Sequence, residues 1–247
     1  MSEPGRVMSL RARLRPGVAI DMGSVRTRAW PAGRGVVLTV PTMTFPGPGS
    51  CYPVRRGSIV DAGECARLLE RLLSRRLHRV GRRPLVVVTT PVLCDAGELS
   101  AALDVLAPRA VRAVTAVEAA ALVGESDPAG PLFVIDLGAH VTEVALLSGG
   151  ELTRARRSPM GTTDLAATGV PEALVRSVTA MVGQLLDTDT TGQALAALER
   201  GPLLTGGGAL WPELVHGLAR RLGSTVRPVP APHTAAVRGA ALLASRP

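Results

Sequence analysis

Val18-Ala19-Ile20-Asp21-Met22-Gly23 recurs as Phe133-Val134-Ile135-Asp136-Leu137-Gly138, and this doubled hexapeptide decides the fold. Each copy is a short apolar run that ends in Asp-x-Gly, which reads as a buried strand feeding a tight turn. Thr27 and Thr142 then fall at the same offset from the two aspartates, so the strand, the turn and the following strand are repeated in order. Self-similarity of this kind points to two related structural units in one chain. A strand ending in Asp-x-Gly puts a carboxylate at the mouth of a sheet. The glycine, Gly23 or Gly138, permits positive φ and lets backbone approach a ligand closely. Successive amides in such a turn form a nest for anionic oxygens, and the carboxylate can hold a hydrated Mg²⁺. Taken singly, each aspartate is also compatible with a plain turn-capping role.

A third glycine turn is sharper. Leu204-Thr205-Gly206-Gly207-Gly208-Ala209 places three consecutive glycines between an apolar strand and a helix. Glycines cost conformational entropy on folding, so a run of them makes sense where backbone must lie against something flat or bulky. A nucleotide sugar or base is one such partner, and a tight packing corner is the other. The sequence holds no G-x-x-x-x-G-K-S/T, no G-x-G-x-x-G after a strand and no G-x-S-x-G elbow.

Between these turns the pattern alternates strands and helices. Leu85–Thr89 reads as a continuous apolar strand stopped by Pro91, and Val111–Val117 as another, with Glu118–Gly124 beginning a small-residue helix. Leu68, Leu69, Leu72, Leu73 and Leu77 mark one face of a helix over 64–80. Asp95 and Glu98 stand at capping-box spacing for the next helix. Leu174, Val175, Val178, Met181, Val182 and Leu185 predict one apolar stripe on a helix over 172–186. Further helices are expected over 193–199, 212–222 and 235–244, and 41–53 reads as a Pro/Gly loop. Strands with intervening helices indicate α/β layers.

Composition narrows the function classes. With 46% hydrophobic residues the chain can build a core, and with only 2% aromatics that core must be Val, Leu, Ala and Ile. The formal charge is +8, all of it from arginine. The arginines gather at 11–15, 71–83 and 154–157 without interleaved aromatics, which argues against a nucleic-acid stacking site and for a solvated face. Cys51, Cys65 and Cys94 are too scattered for a disulfide framework or a zinc site. Residues 1–16 form a basic tail without the apolar core of a signal peptide; a disordered tail and a membrane-surface segment are both open readings.

The order of these elements resembles the actin-like superfamily of actin, heat-shock chaperones and sugar kinases, and within it the MreB/Mbl-type rod shape-determining proteins of bacteria. Asp21-Met22-Gly23-Ser24 resembles the family's first phosphate loop, Asp136-Leu137-Gly138 with Thr142-Glu143-Val144 the second, and Leu204–Leu210 the adenosine motif. Pro53–Asp61, Thr90-Pro91 before Asp95, and Ala116-Val117-Glu118 resemble intervening segments, the last being similar to the one that carries the water-orienting glutamate. The likeness spans almost all of 17–244.

The resemblance implies an actin-like (ribonuclease H-like) two-lobed fold: a first lobe over 17–130, a second over 131–247, and a last helix packing back on the first. It implies nucleotide contacts from Asp21, Gly23, Ser24, Arg26, Asp136, Gly138, Thr142, Gly206, Gly207 and Gly208, with ATP as ligand. It further implies Mg²⁺ held through water by Asp21 and Asp136, and Glu118 as the catalytic group. Its partners would be a full-length MreB-type protein or the cell-wall machinery. Its place would be the cytoplasm, with the inner membrane face as an option for the basic tail.

Three departures qualify this. Only Pro41–Tyr52 fills the space of small subdomain IB, and the chain passes from Gly161-Thr162-Thr163-Asp164 to the next helix without room for IIB. Ala139-His140-Val141 stands where the family has Gly-Gly-Thr, removing a hydroxyl tied to catalysis. Arg26 replaces a small polar residue, and both a phosphate ligand and a surface arginine fit it. The expectations are therefore a scaffold of the cell-shape type with weak nucleotide binding, an active Mg²⁺-dependent ATPase, or an adaptor with a relic cleft.

Overall fold

A computed structural model describes residues 17–31, 35–77, 83–94, 97–125, 127, 129–168 and 171–245, with the side chains of 74–77 and 166–168 excepted. The basic tail over 1–16 and the Asp95 cap lie outside the described residues, as does part of the second arginine cluster.

The first half of the chain runs β1 (Gly17–Met22), β2 (Arg26–Pro31), β3 (Leu38–Pro41), a short hairpin of β4 (Val54–Arg55) and β5 (Ser58–Ile59), and α1 (Ala62–Leu77). It continues through β6 (Leu85–Thr90), α2 (Gly97–Leu103), β7 (Ala110–Thr115) and α3 (Ala116–Gly124). The second half runs β8 (Leu132–Leu137), β9 (Thr142–Ser148), β10 (Glu151–Ser158), α4 (Thr162–Thr168), α5 (Pro171–Asp187) and α6 (Gln193–Glu199). It closes with β11 (Leu203–Thr205), α7 (Pro212–Leu222), β12 (Arg227–Pro228) and α8 (Ala235–Ala244). The two five-stranded sheets have the same plan, β3-β2-β1-β6-β7 and β10-β9-β8-β11-β12. In each, the hexapeptide strand is central, antiparallel to the next strand and parallel to the one beyond its helices. The sequence repeat is thus a repeat of topology.

Strand alternation sorts the core. On β1, Val18 and Ile20 face Leu69 and Leu73 of α1 and Leu103 of α2, while Ala19 turns to the other face. On β8, Phe133, Ile135 and Leu137 meet α5, whose six predicted stripe residues are all buried in that cluster. The opposite faces are covered by an exchange. Helix α3, from the first half, packs through Val117 and Ala120 against Leu132 and Val134 of the second sheet. Helix α8, from the second half, packs through Val237, Ala240 and Ala244 against Ala19 and Val87 of the first sheet. The two helices touch each other so closely that a β-carbon on Gly239 would collide with the Ala119 carbonyl oxygen. A small-residue core makes that approach possible.

Several boundaries differ from expectation. Strand β7 stops at Thr115, because Thr115 caps α3: its hydroxyl accepts from the Glu118 amide at 3.2 Å and the Glu118 carboxylate accepts from the Thr115 amide at 3.2 Å. The third arginine cluster is strand β10, an edge strand whose Arg156 donates to Gln184 Oε1 at 3.2 Å on α5. Between β3 and α1 the described residues hold one bridge, Thr44 with Cys51, and the small β4–β5 hairpin, with no further sheet. Cys51, Cys65 and Cys94 are not joined in disulfides, and burial pushes Cys65 up to about 12.

Candidate functional site

Both Asp-x-Gly turns are hairpin ends of the same build. The Gly23 amide donates to Arg26 O at 3.1 Å and the Gly138 amide to Val141 O at 3.0 Å. Neither glycine takes a left-handed φ, contrary to expectation. What excludes a side chain is proximity: a β-carbon would lie 2.9 Å from Arg26 O at Gly23 and 2.6 Å from Val141 O at Gly138. The third turn does need left-handed backbone, at Gly206, where φ is 82° and a β-carbon would overlap Asp136 Oδ1. Gly208 packs behind, 2.6 Å from Leu137 Cβ by the same construction, whereas a β-carbon on Gly207 would meet nothing.

These turns converge. Asp21, Gly23, Ser24, Arg26, Asp136, Gly138, Gly206 and Gly207 line one inter-lobe cleft of about 250 Å³. A recess of about 100 Å³ shares Asp21, Ser24 and Asp136 and runs on to Ala116, His140 and Glu143. The Ser24 hydroxyl accepts the Gly57 amide of the β4–β5 hairpin at 2.9 Å. On the same hairpin Arg56 reaches the other lobe, donating to Pro159 O and pairing with Asp164 at 3.2 Å. Two expected ligands are not on the cleft. Gly208 is buried beneath it, and Thr142 is fully buried at the start of β9 with its hydroxyl unpartnered.

The expected catalytic group is not there either. Glu118 uses Oε2 in the α3 capping box and Oε1 to accept the Leu152 amide at 3.1 Å. It lines neither the cleft nor the recess, and the α3 residue that does is Ala116, which has no acid–base chemistry. Helix α3 begins at Ala116, two residues before the expected start, which makes Glu118 its N3 capping residue.

The two aspartates differ in their surroundings. Asp21 lies opposite Arg28 across β1–β2 and beside Thr89 on β6. Arg28 Nη1 pairs with Oδ2 at 3.3 Å and the Thr89 hydroxyl donates to Oδ1 at 2.9 Å, so both carboxylate oxygens are engaged. Asp136 has the matching neighbours, Glu143 across β8–β9 and Thr205 on β11. Glu143, however, is another acid, and the Thr205 hydroxyl donates to Pro232 O at 3.1 Å instead. Asp136 Oδ1 is consequently sealed from water with no partner. Burial, then the nearby Asp21 charge, lift Asp136 to about 7, against the pull of Arg28. Burial, then Asp136, lift Glu143 to about 8, although Glu143 accepts the Val92 amide at 2.9 Å. Burial and the Arg28 charge lower His233, which faces the cleft from the segment before α8.

Arg28, Glu143 and His233 were not among the expected site residues. The repeat itself could have found two of them, since Arg28 and Glu143 hold the same place after Asp21 and Asp136. Nothing in the sequence marks His233. Of the pair expected to hold Mg²⁺ through water, Asp21 already has Arg28 on one oxygen and Thr89 on the other, so the guanidinium offsets the charge a dication would meet. Among the described residues no group of three or more His, Cys, Asp or Glu is arranged for a metal ion.

No protein-family model matches the chain, and no curated protein sequence does. Solved structures do. MreB5 of Spiroplasma citri bound to ADP superposes with a TM-score of 0.79 at 15% identity, over 93% of this chain and 96% of that one. The same protein bound to AMPPNP gives 0.80 at 16% identity over the same shares. The ethanolamine utilization protein EutJ from Carboxydothermus hydrogenoformans gives 0.64 at 15% identity, over 92% of this chain and 89% of that one. At such identity the likeness is one of fold.

Proposed function

We propose, for a chain whose fold is the actin-like one, that it holds an adenine nucleotide in the inter-lobe cleft as a binding and assembly protein rather than as a catalyst. The observation that carries this reading is the convergence of the two Asp-x-Gly turns and Gly206-Gly207 on a single cleft. That MreB5 was crystallised with ADP and with AMPPNP supports the choice of ligand. Gly23, Gly138 and Gly207 bring backbone to the phosphates and sugar, and Ser24 and Arg26 stand at the phosphate end. Turnover is disfavoured because Glu118 is spent on backbone amides and Ala116 and Val141 occupy the places where acid–base and hydroxyl groups would act.

The assembly partner we propose is a full-length MreB-type protein, in cytoplasmic cell-shape or cell-wall work. The basic tail over 1–16 is the segment for any contact with the membrane surface, since no helix among the described residues is long and apolar enough to cross a membrane. The EutJ likeness keeps a different cellular process open for the same fold.

Calorimetric titration with ADP and AMPPNP tests the ligand. Wild type is expected to bind, and Gly207→Val, whose side chain would stand in the cleft, to lose binding while keeping the wild-type melting temperature. Heat signals absent up to millimolar nucleotide would sink the reading in favour of a relic cleft. Co-sedimentation with MreB-type filaments tests the partner, and protein left wholly in the supernatant would remove it.

A further inference from the structure

The duplicated hairpins carry opposite charges at the same place. Across from Asp21 stands Arg28, and across from Asp136 stands Glu143. Arg28 lies in the wall of the cleft with its side chain only 15% exposed. One of its donors goes to Asp21, and its Nε is buried with no hydrogen-bond partner. A guanidinium has five N–H donors in a planar fork and keeps its charge at any working pH. Nε is sealed in the wall, but of the terminal nitrogens only Nη1 is engaged, on Asp21, and the remaining donors suit an anionic oxygen in the cleft.

The same side chain denies the cleft to a divalent cation. Mg²⁺ needs near-octahedral oxygen ligands and gives up its waters reluctantly. Asp21 already gives one lone pair on each oxygen to Arg28 and to Thr89, and the guanidinium offsets its charge, so it is a poor anchor for a hydrated dication. A dication at that point would also face the Arg28 charge in a half-buried site, where repulsion is weakly screened. The other carboxylate, Asp136, stands beside the buried carboxyl of Glu143.

We propose that Arg28 takes the place of the metal ion: it neutralises the phosphates directly, and the cleft binds the metal-free nucleoside di- or triphosphate. This rests on the nucleotide reading above and goes beyond it, because it makes the ligand the free polyphosphate and not its magnesium complex. Asp21 then serves to position the guanidinium, with Thr89 holding Asp21.

The experiment is calorimetric titration of the full chain with ADP, once in excess EDTA and once in excess Mg²⁺. The apparent affinity is expected to be about threefold or more weaker in excess Mg²⁺ than in EDTA, since the metal sequesters the free polyphosphate that the cleft takes. Arg28→Met is expected to weaken metal-free binding by about tenfold or more, with Mg²⁺ restoring part of it because Asp21 is released. Arg28→Lys keeps a point charge without the fork and should fall between. Thermal melts accompany both variants. The wild-type comparison decides the matter even if neither variant folds. Wild-type binding that disappears in EDTA overturns the proposal, as does Arg28→Met that folds and binds metal-free ADP as wild type does. Absence of binding in both buffers overturns the nucleotide reading itself, and this inference with it, so the two failures are told apart.

Discussion

Asp136, half-buried with Oδ1 sealed, and Glu143, buried, face each other across one strand pair, and their ionisation is coupled to folding. Both are raised above their unfolded values, to about 7 and about 8, so the folded state binds more protons than the unfolded one between those limits. The stability they contribute is complete below the ordinary carboxylate range and is lost as pH rises through the folded values. Melting temperature is therefore expected to fall from about pH 5 to about pH 8.5, and Glu143→Gln is expected to flatten that slope. Equal slopes in the two proteins, followed by scanning calorimetry, would show that this pair is not its source. The residue scale is also where sequence reasoning was least complete. The turn glycines and aspartates were legible because their backbone roles restrict residue type. Arg28 was not singled out, because an arginine among so many carries no signal until the register of β1 and β2 sets it against Asp21. Glu118 was singled out by family resemblance alone, and in the structure it is the N3 residue that caps α3.

At the scale of elements, a helix glycine has opposite meanings in α5 and α8. Gly183 in α5 would place a β-carbon in open space, whereas Gly239 in α8 would drive one into the Ala119 carbonyl. Gly183→Ala should stabilise the protein by roughly 0.5–1 kcal/mol through helix propensity alone. Gly239→Ala should destabilise it by about 1–3 kcal/mol, since overpacking at the α3–α8 contact outweighs the same propensity gain. Chemical denaturation of the two variants measures both signs, and a stabilising Gly239→Ala would mean the helices can part at little cost. Elements with a strong period were readable in advance: the α5 stripe holds all six of its predicted residues in the core. Strand β10 was not, because an edge strand with one solvated face alternates arginine with small residues and looks like a charge cluster. The β4–β5 hairpin escaped notice for a different reason, being held by contacts to Ser24, Pro159 and Asp164 that are remote in sequence.

For the whole molecule, the exchange of α3 and α8 binds the halves into one folding unit. Each sheet has one face covered by a helix encoded in the other half. A fragment ending at residue 130 would keep α3 without its sheet and leave Ala19 and Val87 uncovered. It is expected to show helical circular dichroism without a cooperative thermal transition, and a sharp two-state melt of that fragment would contradict the single-unit view. The two-lobed plan was legible from the repeat, but the crossing of α3 had no signal in either copy, because neither hexapeptide says which helix covers its outer face. The exchange also has a consequence during synthesis. The nascent first sheet emerges with the Ala19–Val87 face bare, and α8, which covers it, is the last described helix to be translated. At ordinary elongation rates that interval is roughly eight to thirty seconds. For that time the ribosome carries an exposed apolar sheet, so the half-made chain is a natural client for trigger-type holdases, and codon choice late in the message sets how long it waits.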